Sequence, residues 1–359
     1  MIVRPGSTIG IVGGGQLGRM LAIAAAQLGY KCHIYAPDEA PPAAEVAALF
    51  TRGRFDDEEA LARFGASVDV ATYEFENIAA GPLSALADRA PLYPPRRALE
   101  TAQDRLAEKE FVAGLGGRPA PFAAVASREE LGEALARIGA PAILKTRRFG
   151  YDGKGQARIM AREDADAAWE AVAGAPSILE GFVRFEEEFS ILLCRSASGG
   201  IAGWDAPRNV HSEGILRAST VPAPPKIEGA VEEASRLARR VAEALDYVGV
   251  LTLEFFAAAE GAVFNEMAPR VHNSGHWTIE GSLTSQFENH IRAICGLPLG
   301  ATGRTASKVS MQNLIGDDMA AWHEIMSDPA AHLHLYGKGE ARPGRKMGHV
   351  TRLIGPGGA

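Results

Sequence analysis

Residues 251–266 read LTLEFFAAAEGAVFNE. Apolar runs on both sides of AAAEG predict a β-hairpin centred on Glu260. In that register Glu254 and Glu266 lie opposite each other on one face, with Cβ atoms roughly 5 Å apart. Like charges so close together between apolar neighbours are unfavourable unless a cation or a proton separates them. The hairpin therefore predicts a site for Mg²⁺, which combines a few carboxylates with nucleotide phosphates, with glutamates on a solvated strand face as the alternative.

A glycine-rich loop precedes this hairpin in the chain. Residues 145–155 read KTRRFGYDGKG, so that Lys145, at the end of a predicted strand, comes shortly before a loop of glycines and cations. Such a loop can fold over a triphosphate, although no GK[ST] opens a helix and the P-loop classes are therefore disfavoured. Asp152 favours a functional loop over a solvated hairpin tip, because an acid among cations can position or deprotonate a substrate group.

Directly after the hairpin comes an irregular segment that is rich in hydrogen-bond donors. It reads MAPRVHNSGHW over residues 267–277. Loops that gather Arg, His, Asn and Ser beside a metal pair are usually binding loops. His272 and His276 are four residues apart but not on a predicted helix, so the segment does not support a zinc site of the HExxH type.

The C-terminal part contains a local cluster of cations. Residues 336–349, YGKGEARPGRKMGH, carry four Lys or Arg residues against one acid in a chain of net charge −7. Glycines beside Arg345 and Lys346 would let a small anion approach closely, so the segment is either a phosphate receptor or a solvated turn.

The N-terminal region alternates apolar runs with helical stretches and predicts a βαβαβ parallel sheet. Gly13 to Gly18, GGGQLG, satisfies GxGxxG between a strand and a helix, where backbone N–H groups favour an anion. A dinucleotide site also needs an acid at the end of the second strand, yet that strand ends Ile34-Tyr35-Ala36. A nicotinamide site is therefore disfavoured, and the glycines serve either a tight turn or another phosphate.

Composition limits the remaining classes. A chain of 359 residues with 47% hydrophobic residues predicts two or three domains, and the negative net charge argues against a dedicated nucleic-acid binder. The three cysteines are far apart in sequence, without CxxC spacing, which fits a reducing cytosol better than a disulfide framework. We find no signal-peptide pattern and no run of 18 apolar residues, so a cytoplasmic protein without membrane partners is expected.

Four motifs together resemble one enzyme family. GGGQLGRML (13–21), GYDGKGQ (150–156), NEMAPRVHNSGHWT (265–278) and RPGRKMGH (342–349) are similar to segments of the N5-carboxyaminoimidazole ribonucleotide synthetases, which are ATP-grasp enzymes. The resemblance covers nearly the whole chain. It implies an α/β and α+β fold: an N-terminal βαβ parallel-sheet domain (1–100), an ATP-grasp region (101–300) with a mobile subdomain at about 118–185, and a small C-terminal region (301–359).

The resemblance also implies an activity. It is the ATP- and bicarbonate-dependent carboxylation of 5-aminoimidazole ribonucleotide through carboxyphosphate, which yields ADP and phosphate in de novo purine biosynthesis. Mg²⁺, with Mn²⁺ as an alternative, would be the metal, and the enzyme would be a cytoplasmic homodimer. Asp152 is our candidate for the group that orients or deprotonates the substrate amine.

Site residues follow from the same resemblance. Asp152, Arg270 and Lys346 would be catalytic, and Glu254 and Glu266 would hold the metal. The ATP site would comprise Arg105, Lys145, Gly150, Tyr151, Asp152, Gly153, Lys154, Gly155, Gln156, Glu180, Gly181, Phe182, Val183, Glu188, His211, Asn265 and Glu266. The ribonucleotide would contact Gln16, Leu17, Glu74, His272, Asn273, Ser274, Arg345 and Lys346. Ala268 stands where many ATP-grasp enzymes have an asparagine, so the metal would have one protein ligand fewer.

Three other functions stay open from the sequence. Another ATP-grasp carboxylase or formyl-transfer ligase would have a similar nucleotide site. A nicotinamide oxidoreductase could be built on the first glycine loop. A non-catalytic nucleotide sensor is disfavoured by the intact Glu254 and Glu266 pair.

Overall fold

The structure, a computed structural model, describes residues 2–150 and 155–355. Its N-terminal layer contains β1 (Thr8–Val12), α1 (Gln16–Gln27), β2 (Lys31–Ala36), β3 (Leu49–Arg52), α2 (Glu58–Gly65), β4 (Val70–Tyr73) and α3 (Leu83–Ala87). The strands form a parallel sheet in the order β3-β2-β1-β4, which confirms the predicted architecture. Sequence reasoning missed β3, a strand of four residues that is only partly buried.

The middle of the chain forms a smaller antiparallel sheet covered by helices. The elements are α4 (Arg96–Gln103), α5 (Arg105–Gly114), β5 (Phe122–Val125), α6 (Arg128–Ile138), β6 (Ala142–Thr146), β7 (Gln156–Ile159), α7 (Ala165–Ala171) and β8 (Ser177–Gly181). The strand order is β5-β8-β6-β7, and α6 and α7 pack on this sheet around a core of its own. This sheet occupies the range predicted for the mobile subdomain, and its mobility remains a prediction.

A large antiparallel sheet makes up the rest. Its elements are β9 (Glu187–Arg195), β10 (Ile201–Gly203), β11 (Arg208–Ser212), β12 (Ile215–Val221), α8 (Glu228–Ala244), β13 (Gly249–Ala258), β14 (Gly261–Ala268), α9 (Thr278–Gly281), α10 (Gln286–Ile294), β15 (Lys308–Ile315), α11 (Trp322–Ser327), β16 (Ala331–Leu335) and β17 (Lys346–Ile354). The order is β14-β13-β9-β11-β12-β15-β17-β16, with β10 paired to β9.

The C-terminal strands therefore belong to the same sheet as the strands of the hairpin. β15 pairs with β12 through Ala218 and Gln312, which we did not expect for a small tail region. Pairing between segments so far apart in sequence leaves no local pattern by which it could be recognised.

The N-terminal layer packs on the large sheet through a shared core. Leu17, Leu21 and Ala25 lie four residues apart on one buried face of α1, as expected for an amphipathic helix. They belong to a cluster that also contains Leu192 of β9 and Met311 of β15. Among the described residues, no helix is both long and apolar enough to cross a membrane.

Candidate functional site

The β13–β14 hairpin brings the two glutamates together. Glu254 pairs with Glu266, as the sequence predicts, but Phe255 pairs with Phe264. β14 therefore uses one more residue than β13 at this point, and Asn265 is the extra residue of a β-bulge. The bulge brings Glu266 opposite Glu254, although the register nearer the turn differs from the one we predicted.

The two carboxylates have different surroundings. Glu254 is buried, whereas the Glu266 side chain is 43% exposed. Burial is the largest influence on the pKa of Glu254 and raises it, and the neighbouring Glu266 adds to this. Burial also opposes ionisation of Glu266, but the charges of Arg105 and Lys145 outweigh it and hold its pKa below the usual range.

This pair fits a cation that brings other ligands with it. Among the described residues, no group of three or more His, Cys, Asp or Glu side chains could hold a metal ion by itself. Mg²⁺ in nucleotide sites is commonly held by one or two carboxylates and completed by phosphates and water. Glu254 and Glu266 are suited to that arrangement and not to a metal cage made only of protein ligands.

Cations from two elements face the pair. Arg105, at the start of α5, places Nη1 3.1 Å from Oε2 of Glu266 and donates from Nη2 to the carbonyl of Gly150. Lys145, in β6, places Nζ 3.0 Å from Oε2 of Glu180. Burial is the largest influence on Lys145 and lowers its pKa, although Glu180 opposes this. These contacts bring together four of the side chains that the resemblance assigned to the nucleotide and the metal.

Lys109 is a further cation of this group, and sequence reasoning missed it. Its Nζ lies 2.8 Å from the carbonyl oxygen of Asn265 and 3.4 Å from Oε2 of Glu180. Lys109 follows Arg105 by four residues on α5, so both side chains lie on one face of the helix. That spacing was the available signal, but it has meaning only once Arg105 is placed in the site.

Neighbouring strands of the large sheet contribute a histidine and a glutamate near the pair. His211 of β11 contacts Glu188 of β9 through Nδ1 and Oε2. Burial disfavours the charged imidazole, yet the hydrogen bond with Glu188 and the charge of Glu254 outweigh it and raise the pKa of His211.

The predicted adenine hinge begins at the end of the smaller sheet. Glu180 and Gly181 are the last residues of β8, and Phe182 and Val183 follow the strand directly.

Arg270 is held by a residue of the N-terminal layer. Its guanidinium forms a two-point ion pair with Glu76, in which Nη2 lies 2.6 Å from Oε1. We did not predict Glu76. The signal was its place just beyond β4, because polar residues at the carboxyl ends of parallel strands are frequently functional.

The His272–Ser274 loop is held by the start of α10. The side-chain amide of Gln286, which begins α10, donates to the carbonyl of His272 at 2.7 Å and accepts from its N–H at 2.9 Å. The His272 ring contacts the hydroxyl of Ser274 at 2.8 Å, and its pKa is lowered chiefly by burial and then by Arg270. Within the described part of the chain, the buried amide group of Asn273 has no partner for its nitrogen or its oxygen. Such a group is suited to a ligand.

The first glycine loop is occupied by a carboxylate of the same chain. Oε1 of Glu74 accepts from the backbone N–H of Gly15 at 2.7 Å, and Oε2 accepts from Gly18 at 3.3 Å. A Cβ on Gly13 would lie 2.6 Å from the Glu74 side chain, so glycine is needed for this close approach. Glu74 thus takes the place where a dinucleotide would put its pyrophosphate, which further disfavours a nicotinamide site. Gln16 and Leu17 begin α1 beside it.

Of the C-terminal cations, Lys346 lies in a strand, whereas Arg342 and Arg345 lie in the loop that precedes it. Lys346 is the first residue of β17, and its carbonyl accepts from Nζ of Lys338 at 2.8 Å. Its charge reaches the site: after the larger effects of burial, His211 and two glutamates, Lys346 also lowers the pKa of Glu254. Arg345 donates to the carbonyl of Glu340 within the same loop.

Part of the predicted phosphate loop lies outside the described residues. This applies to Tyr151, Asp152, Gly153 and Lys154. Gly155 has φ +69°, in the left-handed region that favours glycine, and Gln156 begins β7 instead of ending the loop.

Comparison with known proteins gives a consistent result along the chain. Family models match the ribonucleotide synthetase preATP-grasp domain at residues 6–103, the ATP-grasp domain at 110–287 and the phosphoribosylaminoimidazole carboxylase C-terminal domain at 309–354. A Brucella melitensis N5-carboxyaminoimidazole ribonucleotide synthase is 51% identical over 98% of this chain and 97% of its own length.

Two solved structures extend the comparison. The N5-carboxyaminoimidazole ribonucleotide synthetase of Thermus thermophilus is 49% identical with a TM-score of 0.90, over 96% of this chain and 93% of that one. The Aspergillus clavatus synthase, solved with ADP and 5-aminoimidazole ribonucleotide, is 30% identical with a TM-score of 0.91, over 98% and 94%.

Proposed function

Since the chain belongs to the N5-carboxyaminoimidazole ribonucleotide synthase family of ATP-grasp enzymes, we propose that it uses ATP and bicarbonate to carboxylate the exocyclic amine of 5-aminoimidazole ribonucleotide. The observation that carries this proposal is the arrangement of Glu254 and Glu266 opposite the cations Arg105 and Lys145. The products would be the N5-carboxylated ribonucleotide, ADP and phosphate. A cytoplasmic homodimer in purine biosynthesis remains our expectation for the assembly and its setting.

ATP would lie between the two antiparallel sheets. Glu180 to Val183 would contact the adenine from the smaller sheet, and Glu188 with His211 would contact the ribose side from the larger one. Arg105, Lys145 and the loop from Gly150 to Gln156 would hold the phosphates. Mg²⁺, or Mn²⁺ in its place, would be held by Glu254 and Glu266 and would supply positive charge beside the phosphates when bound.

The first step is phosphoryl transfer. An oxygen of bicarbonate attacks the γ-phosphorus of ATP, the bond from that phosphorus to the bridging oxygen breaks, and ADP leaves with the electron pair. The product is carboxyphosphate. Negative charge spreads over the transferred group, and Arg270, held in place by Glu76, is suited to offset it.

The second step is capture by the amine. The amine nitrogen of the ribonucleotide attacks the carboxyl carbon of carboxyphosphate, or CO₂ released from it, and phosphate leaves. The nitrogen loses a proton, for which we propose Asp152 as acceptor. Asn273 and Ser274 would contact the reacting groups, Gln16, Leu17, Glu74 and His272 would line the ribonucleotide site, and Arg345 and Lys346 would bind its 5′-phosphate. Closure of the loop must exclude water, because carboxyphosphate hydrolyses.

Turnover of ATP, measured with each substrate omitted in turn, tests the proposal. We expect ADP formation to require 5-aminoimidazole ribonucleotide, and labelled bicarbonate to appear in the ribonucleotide product. A different ribonucleotide that stimulates ATP turnover more strongly, or formyl transfer without bicarbonate, would assign the chain to another ATP-grasp activity.

A further inference from the structure

β14, the strand that carries Glu266, ends the strand order of the large sheet within the described residues. Its outer edge is covered by the segment that leads from α5 to β5. Phe264 donates its N–H to the carbonyl of Arg118 at 2.8 Å. In a regular strand the backbone groups of successive residues point alternately to either side, so Glu266 and not Asn265 would be the next residue with outward-facing groups.

The bulge changes this alternation. Because Asn265 is an extra residue, the carbonyl of Asn265 and the N–H of Met267 both point away from β13. These two groups lie on either side of Glu266. Asn265 and Glu266 are both partly exposed, between the buried residues Phe264 and Met267. The bulge thus presents two successive polar side chains where an unbroken strand would present one.

Both outward groups are bound by side chains of α5. Oε1 of Glu108 accepts from the N–H of Met267 at 2.7 Å, and Nζ of Lys109 donates to the carbonyl of Asn265 at 2.8 Å. Glu108 and Lys109 are 2% and 1% exposed, although Glu and Lys are almost never so buried without partners. Nζ of Lys109 also lies 5.6 Å from the ring centre of Phe264, on the residue before the bulge.

We propose that Glu108 and Lys109 are positioning residues that hold the Asn265 bulge and thereby direct Asn265 and Glu266 at the nucleotide and its metal. Neither side chain needs to contact a substrate in this role. Glu108 accepts from one side of Glu266 and Lys109 donates to the other, so the backbone at Glu266 cannot revert to regular strand geometry. Lys109 in addition contacts Glu180, so it links the bulge to the smaller sheet.

The proposal rests on the proposed nucleotide chemistry, and three variants and one control test it. Glu108→Gln keeps a side-chain oxygen that can accept from Met267, whereas Glu108→Leu removes it at similar size. Lys109→Met removes the donor but keeps an unbranched chain. Val112→Ala is the control, because it removes packing from the same helix at a fully buried position whose side chain has no polar atom that could hydrogen-bond to the bulge.

The first measurement uses the protein without nucleotide. Hydrogen exchange in a peptide that spans residues 264–268 is compared with exchange in β15. We expect hydrogen exchange in the hairpin peptide, relative to β15, to rise about tenfold or more in Glu108→Leu and Lys109→Met. The reason is that the backbone there loses a hydrogen bond to α5 and opens more often. Glu108→Gln and Val112→Ala should keep the parental ratio.

The second measurement is binding of a non-hydrolysable ATP analogue with and without Mg²⁺. The metal-dependent gain in affinity should fall by about ten- to a hundredfold in Glu108→Leu and Lys109→Met, since a displacement of about 1 Å costs catalytic sites about a hundredfold. Glu108→Gln should stay within about threefold of the parent, and Val112→Ala should lower the unfolding temperature alone.

Parental metal dependence in both Glu108→Leu and Lys109→Met would overturn the proposal, as would an equal loss in Val112→Ala. If Glu108→Leu does not fold, Lys109→Met still decides. An incorrect proposed function gives a different result, in which the parent binds Mg-nucleotide but 5-aminoimidazole ribonucleotide does not stimulate its ATP turnover.

Discussion

The carboxylate of Glu266 interacts with the guanidinium of Arg105, and it would also bind the cation that it shares with Glu254. In Glu266→Gln the amide oxygen can still accept from Arg105, so the fold should persist. We expect turnover to fall at least about a hundredfold, because the amide is a poor ligand for a hard cation. The unfolding temperature without nucleotide should move by only about 2 °C, since a half-exposed ion pair contributes about 0–1 kcal/mol.

A steady-state assay of ATP turnover, together with a thermal scan without nucleotide, measures both effects. Near-parental turnover of Glu266→Gln at ordinary Mg²⁺ would remove this residue from the metal site. A collapse of the unfolding temperature would instead mean that the carboxylate is structural.

Arg270 depends on Glu76 for its direction. The Arg270 side chain is only 13% exposed, and a two-point ion pair fixes the plane of its guanidinium as well as its position. Glu76→Gln keeps at most one of the two hydrogen bonds. We expect kcat to fall by roughly ten- to a hundredfold while the Kd of Mg-ATP stays within about threefold, because Arg270 acts on the transferred group and not on the bound nucleotide.

Steady-state kinetics and nucleotide binding of Glu76→Gln test this expectation. Glu59→Gln is the matched control in the same layer, since it removes the exposed Glu59–Arg63 pair of α2. Equal kinetics in the two variants would show that Glu76 does not position Arg270.

The start of α10 supports the loop that follows the hairpin. Gln286 is fully buried and binds both backbone polar groups of His272. Gln286→Met keeps the volume but leaves both groups unsatisfied, at a cost of about 1–3 kcal/mol for each. We expect a clear loss of stability in urea together with weaker ribonucleotide binding. Gln312→Met, at an exposed position of β15, should change neither.

The start of β17 places Lys346 within electrostatic reach of Glu254 and His272. A substrate 5′-phosphate carries nearly two negative charges, and each charge-assisted hydrogen bond to it contributes about 1.5–3 kcal/mol. Lys346→Ala should therefore raise the KM for 5-aminoimidazole ribonucleotide by roughly ten- to a hundredfold, with little change for ATP.

Measuring both KM values at two ionic strengths tests this role of Lys346. Salt should weaken ribonucleotide binding in the parent more than in the variant, because screening acts on the charge that has been removed. An unchanged ribonucleotide KM in Lys346→Ala would leave the segment with a structural role only.

Sequence and structure agree best where a pattern is local. Alternation of strands and helices predicts the N-terminal layer, and a two-stranded pattern predicts the opposition of Glu254 and Glu266. The bulge at Asn265 has no sequence signature, because the residues that stabilise it lie in α5, far away in sequence. Glu108 and Met267, for example, are separated by 159 positions. The role of Glu74 at the first glycine loop is hidden for the same reason.

The candidate site lies between the two antiparallel sheets. Lys145 and Glu180 belong to the smaller sheet, whereas Glu188, His211 and Glu254 belong to the larger one. The N-terminal layer contributes Glu74 and Glu76 to the same region and shares its core with the larger sheet. Sequence patterns predicted these segments one at a time. Their assembly into one site depends on pairings between distant segments, such as β12 with β15, that no local pattern encodes.

A ligand that contacts both sheets should stabilise the molecule as a unit. At a concentration about 100-fold above its Kd, a ligand that binds only the folded protein adds about 2.7 kcal/mol, which corresponds to an increase of roughly 3–6 °C in the unfolding temperature of a chain this long. We expect that increase with a non-hydrolysable ATP analogue and Mg²⁺. It should be much smaller with EDTA, because the glutamate pair then repels the phosphates. In the double variant Glu254→Gln/Glu266→Gln, Mg²⁺ should have little further effect on the increase in unfolding temperature.

Differential scanning fluorimetry with the analogue, with EDTA and with AMP as a control would measure these shifts in unfolding temperature. The same increase with and without EDTA in the parent would contradict a metal-bridged nucleotide held between the two sheets.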